Sequence, residues 1–429
     1  MMATARLRLF ADYLAATRNE IAVDEMLLGL ARVTPDQVGY LPRVPHWLNR
    51  GVQAPALTRI IWRIGRIVWL SGGAMVYFAM ELLKFDRLRR PSATALATAI
   101  PATEGAVLGF STRASDVVDY EKFPWLPKIW LTCPWLQPHT LPKGAVELPL
   151  LSLISRRDLR EAFACAVHAT YALARDPIES RWVLQSYTAF RWFIVRCAVD
   201  RIAGTLVTTE HFDRWAVLAD RSLRATPPRT VDARRLVLVQ HGALGGLGGA
   251  THGHDALRQM PTRLTCVDEL HAYNATEANV FRQVVLDEGR RASPLRISYF
   301  SPTITLFGES SAVHPRLLFV GHPLCEAFQK RVYLSLRESI AIDAYYKPHP
   351  MAPMSPTMAE VGWTIIDDLK MFPRVELLVS YPSTLVIEYE GAGIPASVHP
   401  LDISNDALTS FIESILEKIN NLLLEKENQ

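Results

Sequence analysis

A histidine between two prolines is the clearest chemical signal in this sequence. The segment Tyr-Tyr-Lys-Pro-His-Pro at 345–350 ends a short apolar run, and its two prolines restrict the backbone around His349. An imidazole held in this way beside the ammonium of Lys347 can bind a phosphate oxygen, and it can protonate a leaving group. The alternative is an exposed turn without a ligand. The pattern favours an anion-binding loop.

A second polar loop, Ser-Tyr-Pro-Ser-Thr at 380–384, lies further along the chain, and a helix is predicted to begin at Thr384. The free N–H groups of a helix N-terminus, together with the hydroxyls of Ser380, Ser383 and Thr384, can form an anion site. Alternatively, these hydroxyls only cap the helix. Glu388 follows one turn later on the same helical face, within reach of a ribose hydroxyl.

A histidine also follows the clearest buried strand of the first half of the chain, which is predicted at 236–240. His241 and Gly242 come directly after it. Ligands bind at the carboxyl ends of parallel strands, and a glycine allows a ligand to approach the backbone closely. His241 is therefore a candidate general base, the alternative being a structural turn. The glycines that follow match neither the dinucleotide nor the ATP fingerprint, so neither site is predicted.

An acidic pair, Asp287 and Glu288, precedes Gly289. One of two neighbouring carboxylates can have a raised pKa and serve as a general base. The alternative is a helix C-terminus that is capped by the glycine. No spacing of cysteines and histidines suits zinc, and no metal site is predicted.

Size and composition predict a globular chain with more than one domain. The chain has 429 residues, of which 49% are hydrophobic and 21% are charged. Its net charge of +3 gives no reason to expect a nucleic-acid partner. The N-terminus carries no recognisable signal peptide, so a cytoplasmic location is expected.

Strand and helix signals alternate through most of the chain, which is typical of an α/β protein with parallel sheets. We predict a helical extension at 1–103, a first Rossmann-like domain at 104–312 and a second at 313–429. Residues 115–150, which are rich in proline and tryptophan, are expected to be an irregular excursion. The predicted architecture is two doubly wound domains that face a cleft.

The segment 57–90 is both apolar and basic. Residues 1–100 hold 13 Lys and Arg against 7 Asp and Glu. The uncharged run at 67–80 is shorter than the about 20 apolar residues that a spanning helix needs. Two interpretations remain open: a basic helix that lies on an anionic membrane surface, or a buried helix whose arginines reach solvent.

Taken together, these motifs resemble those of bacterial surface-polysaccharide glycosyltransferases of the GT-B fold. His241-Gly242 is similar to the HG motif of the CDP-glycerol glycerophosphotransferase-like capsule and teichoic-acid polymerases. Asp287-Glu288-Gly289 is similar to the acidic motif of bacterial sialyltransferases and polysialyltransferases. His349-Pro350 and Ser383-Thr384 fit both groups. The resemblance covers residues 205–400.

The resemblance implies a metal-independent transferase without a cofactor, which uses a CMP- or CDP-linked donor and a glycan acceptor. It implies that Lys347, His349, Ser383 and Thr384 bind the donor phosphate. His241, or an acid of the pair at 287–288, would deprotonate the acceptor hydroxyl. The expected setting is the cytoplasm, either free or at the inner-membrane surface beside polysaccharide export machinery.

Two other functions stay open on these residues. A nucleotide-sugar epimerase on the same fold would turn over its substrate without an added acceptor. A non-catalytic scaffold that binds polysaccharide or membrane would need the segment 57–90 but not His349.

Overall fold

The computed structural model describes most of the chain and divides it into two compact units. The described residues are 2–30, 55–95, 105–111, 113–136, 141–176, 180–224, 234–244, 260–290, 294–302, 304–308, 314–349, 354–368, 371–401 and 403–427. The first unit comprises Met1–His241, Gln259–Ala272 and Phe281–Ser298. The second unit comprises Gly242–Arg258, Tyr273–Val280 and Tyr299–Gln429.

The first unit is built on a seven-stranded sheet in the order β3-β2-β1-β4-β5-β6-β7. Its strands are Gly105–Gly109 (β1), Ile129–Thr132 (β2), Val146–Pro149 (β3), Thr205–Thr208 (β4), Arg235–Val239 (β5), Val267–Ala272 (β6) and Arg296–Tyr299 (β7). The pairs from β3 to β6 are parallel. The central strands are almost wholly buried, as parallel strands covered on both faces must be.

The helices up to residue 280 are Met2–Leu30 (α1), Pro55–Val68 (α2), Ala74–Ala95 (α3), Arg113–Val117 (α4), Arg156–Arg175 (α5), Ala189–Val199 (α6), Arg214–Arg224 (α7) and Ala275–Val280 (α8). Trp69–Gly73 is a π-helical turn, and Ser180–Thr188 is a 3₁₀ helix. α1 packs on α5 and α7, and α3 packs on α5. The N-terminal helices therefore belong to the same compact unit as the first sheet.

The second unit is built on a five-stranded parallel sheet in the order β11-β10-β9-β13-β14. Its strands are Arg316–Val320 (β9), Asp343–Lys347 (β10), Thr364–Ile365 (β11), Leu377–Ser380 (β13) and Ala396–Val398 (β14). A separate parallel pair joins Leu306–Phe307 (β8) to Phe372–Pro373 (β12).

Helices cover both faces of this second sheet. They are Glu326–Ser339 (α9), Pro356–Ala359 (α10), Thr384–Gly391 (α11) and Leu408–Glu427 (α12). Leu317 and Phe319 pack with α9 and α12 on one face. Leu318 and Val320 pack on the other face, against Tyr389 of α11. This alternation along β9 is the period of a strand that is buried on both sides.

Both sheets follow the Rossmann order, in which the third, second and first strands are followed by the fourth and fifth. The predicted fold class is therefore confirmed: the chain is α/β, with two doubly wound Rossmann-like sheets. The strand order reverses between β1 and β4 in the first sheet and between β9 and β13 in the second. Ligands of such sheets bind at these reversals, outside the carboxyl ends of the strands.

The prediction of an irregular segment at 115–150 was wrong, because it contains β2 and β3. Each strand has only four residues, and β3 includes Glu147 and Pro149, so neither shows a long apolar pattern. The fully buried Trp130 of β2 is a core residue of the first sheet.

Candidate functional site

Three loops meet at the carboxyl edge of the second sheet. They follow the neighbouring strands β10, β9 and β13, and they carry His349, His322 and Tyr381. The ring centroids of His322 and His349 lie 5.1 Å apart, and those of His322 and Tyr381 lie 5.3 Å apart. The rings thus form a cluster on both sides of the reversal between β9 and β13, where a ligand is expected.

His322 is a neutral imidazole whose tautomer is set by its own loop. The N–H of Leu324 donates a hydrogen bond to Nδ1 of His322 over 3.2 Å. Nδ1 is therefore an acceptor, and the ring proton belongs on Nε2. Burial, together with the nearby His349, lowers the pKa of His322 to about 4. At neutral pH His322 therefore offers an N–H donor and no charge.

The position of His322 depends on the glycine before it. A Cβ atom at Gly321 would lie 2.0 Å from Oη of the Tyr346 side chain. Tyr346 is fully buried, and its hydroxyl donates to Glu326 over 3.2 Å. Since the ring cannot move aside, only glycine fits there. This close packing fixes the start of the loop that presents His322.

The loop after β13 leaves the N-terminus of α11 without a side-chain cap. The Ser380 hydroxyl donates to the carbonyl of Tyr381 over 2.7 Å, so in its 3.0 Å contact with Ser383 it accepts. Ser383 occupies the cap position and makes no capping hydrogen bond. The alternative in which these hydroxyls merely cap the helix therefore does not apply to Ser383. Ser380 is fully buried, and its hydroxyl holds the loop through its contacts with Tyr381 and Ser383.

Thr384 lies beside the segment that follows His241. The N–H of Ala243 donates to Oγ1 of Thr384 over 3.0 Å. A Cβ atom at Gly242 would lie 3.5 Å from the same oxygen, which is ordinary contact. The structure thus brings Gly242 and Thr384 together within the second unit. Glu388 is half-buried on α11, one turn after Thr384.

Lys347, which was predicted to bind the donor phosphate, contacts backbone carbonyls in the structure. Its ammonium donates to the carbonyls of Asp368 and Met371 over 2.7 and 3.1 Å, and it lies 4.6 Å from the ring centroid of Phe372. Burial lowers the pKa of Lys347, against the opposing effect of Asp368. Because two of its three protons are given to backbone carbonyls, Lys347 holds the segment after β11 in place.

His241 lies at the carboxyl edge of the first sheet, as predicted. Its Nδ1 contacts the carbonyl of Thr209, and its backbone N–H donates to Nε2 of His211 over 3.0 Å. A carbonyl only accepts, so Nδ1 carries the proton and neutral His241 has its lone pair on Nε2. That tautomer is the one that a general base needs. Burial, aided by His241, lowers the pKa of His211 well below its ordinary value.

The acidic pair lies at the opposite edge of the first sheet, which corrects the expectation that it joins His241. Leu286 forms a parallel bridge with Leu264, just before β6 begins, and the N–H of Asp287 donates to the carbonyl of Leu264 over 2.8 Å. Asp287 is therefore at the amino edge of the sheet, whereas His241 follows the carboxyl end of β5. Glu288 is exposed and forms an ion pair with Arg282.

His322 is the site residue that the sequence prediction missed. The signal was present, because Gly321-His322-Pro323 repeats the pattern of a buried strand followed by His-Pro that drew attention to His349. Pro350 and the glycines at 245, 246, 248 and 249 lie outside the described residues. Among the residues with a described position, no group of three or more His, Cys, Asp or Glu could hold a metal ion.

Comparison with known proteins adds no family to this description. No protein-family model matches the chain, and no curated protein matches it. One solved structure that matches is described as "Crystal structure of GtfA/B complex", with a TM-score of 0.30 and 10% sequence identity. The match covers 54% of this chain and 53% of that chain, or about half the length of each. At that TM-score, the likeness carries no argument about function.

Proposed function

We propose that this protein is a nucleotide-sugar-dependent glycosyltransferase that binds the phosphate of its donor at the carboxyl edge of the second sheet. The observation that carries the proposal is the cluster of His322, His349 and Tyr381 beside the uncapped N-terminus of α11. The neutral imidazole of His322 and the N–H groups at the helix N-terminus are donors, and a phosphate offers only acceptors.

The same donors would assist the departure of the nucleotide. When the bond from the sugar to the phosphate breaks, the electron pair and the negative charge stay on the phosphate oxygen. Nε2–H of His322 and the N–H groups of α11 are already oriented and need no rearrangement to stabilise that charge. His349 is the candidate acid. We do not assign this role to Lys347, because two of its three protons go to backbone carbonyls.

His241 is the base that we propose for the acceptor. Its Nε2 lone pair would take the proton of an acceptor hydroxyl, whose oxygen then attacks the sugar carbon. The tautomer imposed by the Thr209 carbonyl supports this assignment. The pair at 287–288 is not part of the proposed site, since it lies at the other edge of the sheet.

The proposed donor is CMP- or CDP-linked and the proposed product is a bacterial surface polysaccharide, made in the cytoplasm. Both rest on the resemblance of the His241-Gly242, His349-Pro350 and Ser383-Thr384 motifs. Ser383 and Thr384 would hold the donor phosphate, and Glu388 would contact its ribose.

Thermal unfolding of the purified protein with CMP, CDP, UDP, GDP and cytidine tests the proposal. We expect CMP or CDP at a hundredfold excess over its Kd to stabilise the protein by about 2.7 kcal/mol. Cytidine, which lacks the phosphate, should have a much smaller effect. If none of the nucleotides raises the unfolding temperature, the proposed phosphate site is wrong. Stabilisation by UDP or GDP alone would contradict the proposed cytidine-linked donor, but it would be consistent with the proposal of a glycosyltransferase.

A further inference from the structure

Three buried polar atoms belong to the segments that follow β1 and β4, the two strands between which the strand order of the first sheet reverses. They are Oγ of Ser111, Oγ1 of Thr209 and Oε1 of Glu210, and none has a hydrogen-bond partner in the structure. Thr209 is fully buried, and Glu210 is only 7% exposed. Buried polar groups in proteins are nearly always paired, so these three unpaired atoms need an explanation.

The register of the sheet brings these residues close to one another. β1 and β4 are parallel neighbours, with Leu108 opposite Thr208. Ser111 follows the carboxyl end of β1, and Thr209 and Glu210 follow that of β4. Adjacent strands lie about 4.8 Å apart, so the two segments that carry these residues leave the sheet next to each other. This area is the switch point of the sheet, where ligands of doubly wound sheets bind.

We infer that Ser111, Thr209 and Glu210 form a binding site for a hydroxyl-bearing ligand, which under the proposed function is the glycan acceptor. The carboxylate of Glu210 accepts a hydrogen bond from a ligand hydroxyl, while the hydroxyls of Ser111 and Thr209 both donate and accept. His241 lies beside this site, because its ring contacts the carbonyl of Thr209. The inference rests on the proposed function for the identity of the ligand.

The first test separates a binding role from a structural one by stability. Glu210→Gln removes the charge of a carboxylate whose Oε1 has no hydrogen-bond partner, and Thr209→Val removes an unpaired hydroxyl at nearly constant shape. Since neither atom has a partner to lose, both variants should unfold at the same temperature as the natural protein or above it. A fall of several degrees in both variants would show that these atoms have structural partners, and it would overturn the inference.

The second test measures transfer from the preferred cytidine donor to the glycan of a membrane fraction. We expect Glu210→Gln to lower the rate of transfer by at least about 100-fold. Losses of this size follow when an active-site hydrogen bond is removed. The rise in unfolding temperature with CMP or CDP should be unchanged. Glu147→Gln is the matched control, because this exposed carboxylate lies on β3 of the same sheet. Normal transfer by Glu210→Gln, with donor binding intact, refutes the acceptor site but not the transferase.

A second inference concerns the segment formed by α2, the π turn and α3, which exposes an unusual amount of apolar surface. Its exposed large apolar residues are Ile60, Ile61, Ile64, Ile67, Val68, Met75, Val76, Met80, Leu83 and Leu88. Within the described chain, Ile60–Arg89 is also the one stretch long and apolar enough to cross a membrane, and 17% of its most apolar window is buried.

The opposite face of α3 is docked on the first unit, which argues against a spanning helix. Phe78 and Phe85 stack on Phe190 of α6, with ring centroids 6.5 and 5.9 Å apart. Between them, Glu81 pairs with Arg191 through contacts of 2.6 and 3.2 Å. Val76, Met80 and Leu83 lie on the other side of the helix. One face is thus held by protein and the other is available.

The charges along the available face are all positive. Arg63, Lys84 and Arg87 are exposed there. The two acids of this segment are both engaged, since Glu81 is buried against Arg191 and Asp86 pairs with Arg156 over 3.1 Å. An apolar face bordered by exposed cations and no exposed acid is complementary to anionic lipid headgroups over acyl chains.

The geometry points to the surface of a bilayer that contains anionic lipid as the occupant of this face. The test is sedimentation of the full chain with vesicles of phosphatidylcholine alone or with about 30% phosphatidylglycerol, in low and high salt. We expect binding to the anionic vesicles, and at least tenfold weaker binding when the salt is raised or when two cations are reversed in Arg63→Glu/Arg87→Glu.

Apolar contact is tested separately from charge. Val76→Asp/Met80→Asp should reduce vesicle binding at least tenfold, because it places two carboxylates in the inserted face. Leu334→Asp is the matched control, since Leu334 is an exposed apolar residue on α9. If the natural protein stays in the supernatant with both vesicle types, the inference is refuted. A different result would assign the face to a second copy of the chain. In that case the protein would not bind vesicles, and it would form a concentration-dependent dimer that Val76→Asp/Met80→Asp abolishes.

Discussion

His322→Ala and His349→Ala are each expected to cut sugar transfer by at least about 100-fold, a usual loss for a group that stabilises or protonates a leaving group. The two imidazoles lie 5.1 Å apart, so each can contact the same phosphate. Donor consumption under saturating acceptor is the measurement. His322→Ala should also abolish the stabilisation by CMP or CDP, because it removes an N–H donor from the ground-state complex as well.

His314→Ala is the matched control for these two variants. His314 is an exposed histidine just before the amino end of β9, whereas His322 follows the carboxyl end of the same strand. Its removal should leave both transfer and nucleotide stabilisation within twofold of the natural protein. If His322→Ala and His349→Ala transfer as well as His314→Ala does, the phosphate site lies elsewhere.

The low pKa of His322 adds a pH dependence of known sign. The pKa is about 4 in the ligand-free protein, and a bound phosphate dianion raises it. A group whose pKa rises on binding takes up protons, so the contribution of His322 to CMP affinity should increase as the pH falls. Stability of the ligand-free protein has the opposite trend, because the unfolded chain protonates this histidine near pH 6.5. His322→Ala should remove this contribution from both trends, and the stability trend that remains comes from histidines such as His211, whose pKa is also lowered.

The strands that position the site could be predicted because of how a doubly wound sheet is buried. β4, β5, β9 and β13 are almost wholly buried, so they appear as short apolar runs that the sequence displays directly, and β10 has two buried or half-buried tyrosines before Lys347. The residues that follow such runs must lie at the carboxyl edge, which is why His241, His349 and Ser383 were placed correctly at their strand ends.

β6 escaped prediction because polar residues interrupt it. Glu269 and His271, two residues apart, lie on the same side of the strand and contact each other over 2.8 Å. Arg296, at the start of β7, pairs with Glu269 over 2.9 Å. This side of β6 is therefore partly polar, because its charged residues are paired with each other and with β7. A search for an apolar pattern could not detect such a strand.

A local sequence pattern does not predict where a long side chain points or which strand edge a distant segment packs against. Lys347 precedes His349 by two residues, yet its ammonium reaches the carbonyls of Asp368 and Met371, which the sequence places far away. Asp287 is carried to the amino edge by the pairing of Leu264 with Leu286. Both outcomes depend on long-range contacts, so motif spacing could not show that Lys347 binds backbone carbonyls or that Asp287 lies at the amino edge of the first sheet.

The same kind of long-range contact ties α1 to the first unit, through a buried ion pair. Glu20 of α1 is fully buried, and Arg214 at the start of α7 is 4% exposed. Nε of Arg214 donates to Oε1 of Glu20 over 2.8 Å, and a second guanidinium nitrogen contacts Oε2. A buried pair of this kind contributes little net stability, yet breaking it leaves a buried charge without compensation.

Glu20→Ala is therefore expected to lower the free energy of unfolding by about 3–5 kcal/mol, measured by urea denaturation followed by circular dichroism. Asp176→Ala breaks the 4.0 Å ion pair between Asp176 and Arg18, which is also on α1. Because this pair is more exposed than the pair of Glu20 and Arg214, the substitution should lower the free energy of unfolding by less than about 1 kcal/mol. Glu20→Leu/Arg214→Met removes both buried charges and should be more stable than Glu20→Ala. If Glu20→Ala costs no more than Asp176→Ala, α1 does not depend on this pair, and the N-terminal helix is held to the first unit by its apolar contacts alone.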